Sequence, residues 1–354
     1  MDLVYWVWLS TCKYVGPISQ KQLINHFHSP YAVFEANEAE LLAVPGINKR
    51  AASSILRNRS LENAEQIVST AIKKNINILH YNDPLYLPSS REYRESPIVL
   101  YYKGKLKSFD KAVAVVGSRR CSPYGKKVAA EIGKKLAEYD IPIVSGFAKG
   151  IDSYTHEACL KKRGYPIAFL ASGVDICYPK EQLILYKKIV EMGGVFLSQY
   201  PPGTPPTPKL FLQRNALISA WSTEVIIVEA GENSGALWTA DFAKKHGKTI
   251  YAVPNQIDRA EGYGTNLLLS EGVKPLLNID NLNVIKERTH DKSQFLENSH
   301  EHQNSILTYI SESPHTLSSL SHLTKLSEEN LLDKLFELEL NGSILIRGNV
   351  VSKR

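Results

Sequence analysis

Short apolar runs without polar alternation recur along the middle of the chain roughly every 25 to 30 residues: AVAVV at 112–116, IPIV at 141–144, IAFL at 167–170, VFL at 195–197, VIIV at 225–228 and IYAV at 250–253. Such runs predict strands of a parallel sheet buried on both faces. Helical stretches fill four of the five intervals. The first has Ser122 at a capping position and Pro123 at the first helical site, then Val128, Ile132 and Leu136 on one face. The one at 235–246 stops at Gly247, as a C-terminal cap should. The remaining interval holds YPPGTPPTP at 200–208, five prolines in nine residues. Proline fixes φ and removes an amide donor, so this stretch predicts a stiff surface loop before a helix at 210–220.

Strand–helix alternation of these lengths predicts an α/β fold, an extended Rossmann-like doubly wound parallel sheet with right-handed crossovers, over residues 76–285. Ile76–Leu79 and Ile98–Tyr102 read as edge strands leading into it. Residues 1–75 read as short helices around the turn Val44-Pro45-Gly46-Ile47, followed by Ala51, Ala52, Ile55 and Leu56 on one helical face. This is similar to a helix-hairpin-helix or SAM-like unit, in which amides at the second helix's start hold a phosphate and Lys49 and Arg50 would help. A plain helical packing module explains the same pattern. Polar residues 286–302 read as a linker, and 303–354 as three helices and a β-hairpin, a winged helix.

Composition narrows the class. The values of 43% hydrophobic and 22% charged are those of a globular chain. The apolar start, Val4 to Leu9, is too short and unflanked by basic residues for a signal peptide or membrane span. Cys12, Cys121, Cys159 and Cys177 form no CxxC pair and no zinc spacing, so a reducing cytoplasm is expected, without metal or other cofactor. The net charge of +6 is unevenly spread: residues 111–280 hold 21 basic and 16 acidic side chains, and 281–354 hold 8 and 10. The middle is the better anion-binding candidate.

Ligands of open α/β sheets bind beyond the carboxyl ends of the strands. After the first strand come Gly117-Ser118-Arg119, and after the second Ser145-Gly146, then Lys149, Gly150 and Asp152. Ser172-Gly173 follows the third, and Glu229-Ala230-Gly231 and Ser234-Gly235 follow the fifth. Glycine admits close backbone approach, serine adds a hydroxyl, and helix N-termini point the same way, so this rim suits phosphates. Turn and cap requirements compete as an explanation for any one of these residues.

Several chemistries are disfavoured. The first turn reads GSRRCS rather than GxGxxG, against NAD or FAD, and no P-loop is present. No nucleophile elbow or HExxH helix occurs, because position 160 after His156-Glu157 is Leu.

Seven ordered segments then carry a resemblance: VAVVGSRRCSPYG at 113–125, IVSGFAKGIDSYTHEACL at 143–160, LASGVDICYPKE at 170–181, LSQYPPGTPP at 197–206, FLQRNALIS at 211–219, VEAGENSGALWTADFA at 228–243 and GTNLLLSEG at 264–272. From about 80 to 280 the chain resembles the DprA/Smf family of DNA-processing proteins. The resemblance implies a non-enzymatic single-stranded DNA-binding mediator that loads a RecA-type recombinase in natural transformation, as a homodimer. It places the DNA backbone on the rim, with Arg119 on a phosphate, Gly117, Ser118, Ser145 and Gly146 offering amides and hydroxyls, and Lys180 adding charge. Phe147 and Phe211 are candidates for stacking unpaired bases.

Departures stand at Lys149, where the family has Arg, at Ala216, where Arg is common, and at Asn255, after Pro254, where Gly is usual. Arg214 and Asn215 belong either to the DNA site or to a buried pairing near Glu229. The alternative function is nucleotide cleavage of the lysine-decarboxylase-like phosphoribohydrolase type, but AGENSGALWT at 230–239 lacks that family's Pro-Gly-Gly-x-Gly-Thr-x-x-Glu signature. In the C-terminal region, Glu328, Glu329, Asp333, Glu337 and Glu339 make the presumed recognition helix repel phosphate. That region is expected to bind protein or pack on the rest of the chain.

Overall fold

A computed structural model describes residues 2–288, 306–311 and 313–354. The chain forms two compact units, Met1–Val284 and Ile285–Arg354.

In the first unit, helices α1 (Asp2–Thr11), α2 (Pro17–Phe27), α3 (Pro30–Glu35), α4 (Glu38–Ala43), α5 (Lys49–Arg57) and α6 (Glu62–Lys73) precede a nine-stranded sheet. Its strands are β1 (Asn77–His80), β2 (Val99–Gly104), β3 (Val113–Val116), β4 (Ile143–Ser145), β5 (Pro166–Phe169), β6 (Val195–Ser198), β7 (Glu224–Ile227), β8 (Thr249–Ala252) and β9 (Lys274–Pro275). They lie in the order β1-β2-β6-β5-β4-β3-β7-β8-β9. The pairs β1–β2 and β2–β6 are antiparallel, and every pair from β6 to β9 is parallel. All six apolar runs of the sequence are strands, because each is buried on both faces and has no polar side to show water. Ile98–Tyr102 differs from expectation: β2 is no edge but lies between β1 and β6.

The crossover helices are α7 (Pro123–Glu138), α8 (Ile151–Lys161), α9 (Leu183–Glu191), α10 (Pro208–Ala220), α11 (Gly235–Lys245) and α12 (Tyr263–Ser270). Ser122 caps α7, its hydroxyl oxygen accepting from the Gly125 amide at 3.0 Å. Gly247 follows α11 at φ +65°, a left-handed conformation in which a Cβ would be strained.

The sheet separates two apolar clusters. One joins Leu100, Phe169, Leu197 and Ile227 to Leu217 and Trp221 of the α10 region. The other continues from Ala168, Phe196 and Phe147 through Tyr186 into Trp6, Trp8, Leu41 and Ile55 of the N-terminal helices. Residues 1–75 therefore share a core with the sheet. The apolar start is the buried side of α1, and no helix among the described residues is long and apolar enough to cross a membrane. At the α4–α5 turn Asn48 caps α5 through the Ala51 amide at 2.9 Å, and the Arg50 guanidinium lies 3.7 Å from the Tyr14 ring centroid.

The second unit holds helical residues 306–311, helices Leu317–Thr324 and Glu328–Leu340, and a small antiparallel sheet. Strand Val350–Lys353 lies between Ile344–Arg347 and the two-residue strand His315–Thr316, which no sequence signal announced. Its core is Ile306, Ile310, Leu320, Leu331, Leu335, Ile344 and Val351. Of the expected linker 286–302, residues 286–288 are helical and 289–302 lie outside the described residues.

Candidate functional site

The order of the parallel strands reverses at β3, which lies between β4 and β7. Loops leaving β3 and β7 there turn to opposite faces and open a crevice above their carboxyl ends. Two clefts, of about 430 Å³ and about 730 Å³, occupy this rim and share Arg119, Ala148, Phe211 and Arg214 along their walls. The smaller is also lined by Gly146, Phe147, Lys149, Tyr178 and Lys180. The larger takes in Gly117, Ser118, Arg120, Asp152, Asn215, Ser234, Gly235 and Trp238. Of the fourteen residues assigned to the site from sequence, only Ser145 and Gly150 line neither cleft.

What these residues offer a ligand differs from the expectation. The Ser145 hydroxyl donates inward to the Val115 carbonyl at 2.7 Å. The Gly146 amide, with that of Ala148, donates to the buried Asp152 carboxylate at 3.0 and 3.1 Å. The Ser118 amide donates to the Glu229 carbonyl at 2.7 Å, and the Ser118 hydroxyl is held by Arg120's own backbone. Burial raises the Asp152 pKa, while nearby Arg214 and the two amides lower it. The glycine-serine floor is thus largely bonded to itself, and much of its expected anion-holding capacity is already spent on carboxylate and carbonyl oxygens.

Arg214 is also part of this floor. It is 4% exposed and donates through Nη1 to the carbonyls of Gly146 and, at 2.6 Å, Phe169, and through Nε to Asn215 Oδ1 at 3.1 Å. Asn215 in turn donates to the Gly235 carbonyl at 3.1 Å. Arg214 and Asn215 together therefore tie the chain after β4 to the end of β5 and the start of α11. Burial lowers its pKa to about 10, partly opposed by Asp152, which leaves it charged at neutral pH. The pairing with Glu229 is not formed: that carboxylate accepts from the Ser122 amide at 2.8 Å and the Ser122 hydroxyl at 2.5 Å. Gly146 has no side chain because a Cβ there would meet the Arg214 guanidinium at 2.8 Å. Gly150, at φ +82°, would drive a Cβ into the Ser118 carbonyl.

The free cations stand above this floor. Arg119, Arg120 and Lys180 are exposed and form no ion pair among the described residues. The Arg119 guanidinium lies 5.2 Å from the centroid of Phe211, and the Tyr178 ring lies 5.7 Å from the same centroid. Lys149, by contrast, is paired with Glu181 at 2.9 Å. Phe147 offers no face to a base: it is fully buried, edge-on to Phe196 with centroids 5.0 Å apart. Ala216 is also fully buried and lines neither cleft. Asn255 accepts from the Gln256 amide at 3.1 Å, and its own amide donates to Asn266 at 3.1 Å. Sequence reasoning missed Tyr178 and Trp238, since single aromatic residues in turns and first helical turns carry no periodic signal. Arg120 was legible beside Arg119 in GSRR.

Among the described residues no His, Cys, Asp and Glu group could hold a metal. His156 is buried in α8 with both ring nitrogens unpartnered and lines neither cleft.

A large, mostly parallel α/β sheet with an open, cation- and aromatic-lined cleft at its switch point is a Rossmann-like domain. The model of the family described as DNA recombination-mediator protein A matches residues 77–286. The chain belongs to this DprA/Smf family of DNA-processing proteins. Protein Smf of Synechocystis sp. is 32% identical over 286 residues, which span 79% of this chain and 72% of that protein. The structure of DNA processing protein A from Streptococcus pneumoniae superposes with a TM-score of 0.61 at 29% identity, over 77% of this chain and 93% of that one. The Helicobacter pylori protein, described by its single-stranded DNA binding mode, gives 0.52 at 31% identity, over 61% and 96%. These relationships do not favour the nucleotide-cleaving alternative.

Proposed function

We propose that the chain is a single-stranded DNA-binding recombination mediator that protects incoming DNA and loads a RecA-type recombinase in natural transformation, as a cytoplasmic homodimer and without catalysis. The observation that carries the DNA part is the unpaired Arg119 over the Phe211 ring, with Tyr178 beside that same ring, in an open cleft, and Arg120 and Lys180 on the cleft walls. A guanidinium fork suits phosphate oxygens, and a ring beside it gives an unpaired base a surface to stack on. The helical segment 1–75 and the second unit are read as the helix-hairpin-helix and winged-helix modules of such a protein. The recombinase, transformation and dimer parts draw their support from membership of the family.

Fluorescence anisotropy of a labelled oligothymidine at about 50 and about 200 mM salt tests the reading. Wild type is expected to bind more weakly at the higher salt. Arg119→Ala and Lys180→Ala should each weaken binding about tenfold and flatten the slope of log affinity against log salt by about 0.7, the value for one released counterion on a single strand. Binding that ignores both substitutions would remove DNA from this cleft.

A second expectation concerns residues 290–354. Helix Glu328–Leu340 exposes Glu328 and Asp333 beside Leu332 and Phe336, a surface that repels phosphate and suits protein. Removing 290–354 should leave oligothymidine affinity within about twofold in the same assay. A large loss would assign DNA contacts to that region.

A further inference from the structure

The chain has four tryptophans, of which Trp6, Trp8 and Trp221 are 3%, 2% and 0% exposed. Trp238 is 53% exposed. It stands in the first turn of α11 and lines the larger cleft together with Arg119, Arg120 and Gly235. Leaving that much of the largest apolar side chain in water forgoes burial that the other three obtain, and a tryptophan beside cations in a concave site fits a flat, anionic ligand.

We propose that Trp238 is a second base-stacking platform, beyond that at Phe211, so that a single strand crosses the switch point from the Tyr178–Phe211 side to α11. The inference rests on the DNA reading above. Phe211 and Arg119 line both clefts, so the aromatic surfaces border adjoining clefts, with Arg120 on the wall of the larger. Phosphates sit against these arginines while the bases turn to the rings. Near Trp238 the floor is still open. The Gly235 amide, at the start of α11, has no acceptor among the described residues, and a Cβ built on Gly235 would meet nothing within 4 Å. A helix start with a free amide places a phosphate one nucleotide step from the indole. Stacking on a ring needs no hydrogen-bond pattern on the base, so the platform binds without regard to sequence.

The three buried tryptophans make the test direct. Oligothymidine is added to the full chain while tryptophan emission is followed, and labelled-oligomer anisotropy is measured in parallel for wild type, Trp238→Phe and Trp238→Ala. Emission should be quenched on binding in wild type and nearly unchanged in both variants. Trp238→Ala should weaken binding about tenfold and Trp238→Phe only slightly, since phenylalanine keeps a face to stack on. An abasic strand of equal length should bind wild type and Trp238→Ala alike. If the oligomer binds wild type with unchanged emission, and Trp238→Ala binds within twofold of it, the second platform is overturned while the DNA reading stands. If wild type shows no anisotropy change with the oligomer, the DNA reading itself falls.

Discussion

Replacing Arg214 with leucine is expected to lower the stability of the first unit by about 3–5 kcal/mol, read as a fall of roughly 10 °C in the midpoint of thermal unfolding. The loss comes from what the guanidinium leaves behind. The carbonyls of Gly146 and Phe169 and the side-chain oxygen of Asn215 would lose their donor in the floor beneath the clefts, where Arg214 is only 4% exposed. Each such buried acceptor costs about 1–3 kcal/mol when unsatisfied, and Asp152 would lose the cation that opposes its desolvation. Arg214→Lys should recover part of the loss, because it restores a charge near Asp152 but a single ammonium cannot span the same acceptors. Were Arg214 instead a phosphate ligand, both variants would melt like wild type, and Arg214→Leu alone would show a shallower salt dependence of DNA binding. Thermal melts beside anisotropy separate the two.

The second large effect is a dependence on pH. Burial lowers the pKa of His156 from 6.5 to about 4, and neither ring nitrogen finds a partner. The folded chain therefore keeps the imidazole neutral, while the unfolded chain protonates it near 6.5. The unfolded state binds the extra proton, so this residue's contribution is fully present above pH 6.5 and is lost as pH falls toward 4. A difference of about 2.5 in pKa corresponds to roughly 3 kcal/mol. In His156→Leu that part of the slope should vanish. Urea unfolding at pH 7, 5.5 and 4.5 checks it: the variant should match wild type or exceed it at pH 7 and gain on it steadily as the pH drops. Parallel curves would mean that the folded ring takes up its proton over the same pH range as the unfolded one.

The parallel sheet was legible because strands buried on both faces leave no polar positions, so six apolar runs could be read without knowing their order. The cap at Ser122 and the stop at Gly247 were equally local. The course of β2 was not, since a strand's neighbours are chosen by distant residues; Val99–Gly104 gives no hint that Val195–Ser198 will pair with it. The site divides the same way. The rim's residue types were visible, and twelve of the fourteen residues assigned to it do line the clefts. Which groups remain free was hidden, because Glu229 and Arg214 reach the loop atoms from elements far along the chain, and Asp152 turns back from the first turn of its helix onto the loop before it. Phe147 shows the limit most clearly: a ring beside a glycine loop reads as a stacking surface, and the fold turns it to Tyr186 and Phe196 instead.

The internally bonded floor of the cleft bears on how a ligand is graded by shape. A cradle of free backbone amides has fixed positions and rewards one anion geometry, as small-nucleotide sites do. Here most of those amides are occupied, and positive charge stands on the long, jointed side chains of Arg119, Arg120 and Lys180. Such arms follow an anion over several ångströms without disturbing the backbone. A polymer with evenly spaced charges can then advance by one repeat, exchanging one arm at a time and never letting go of all of them, whereas a lone phosphate monoester finds no socket of its own size.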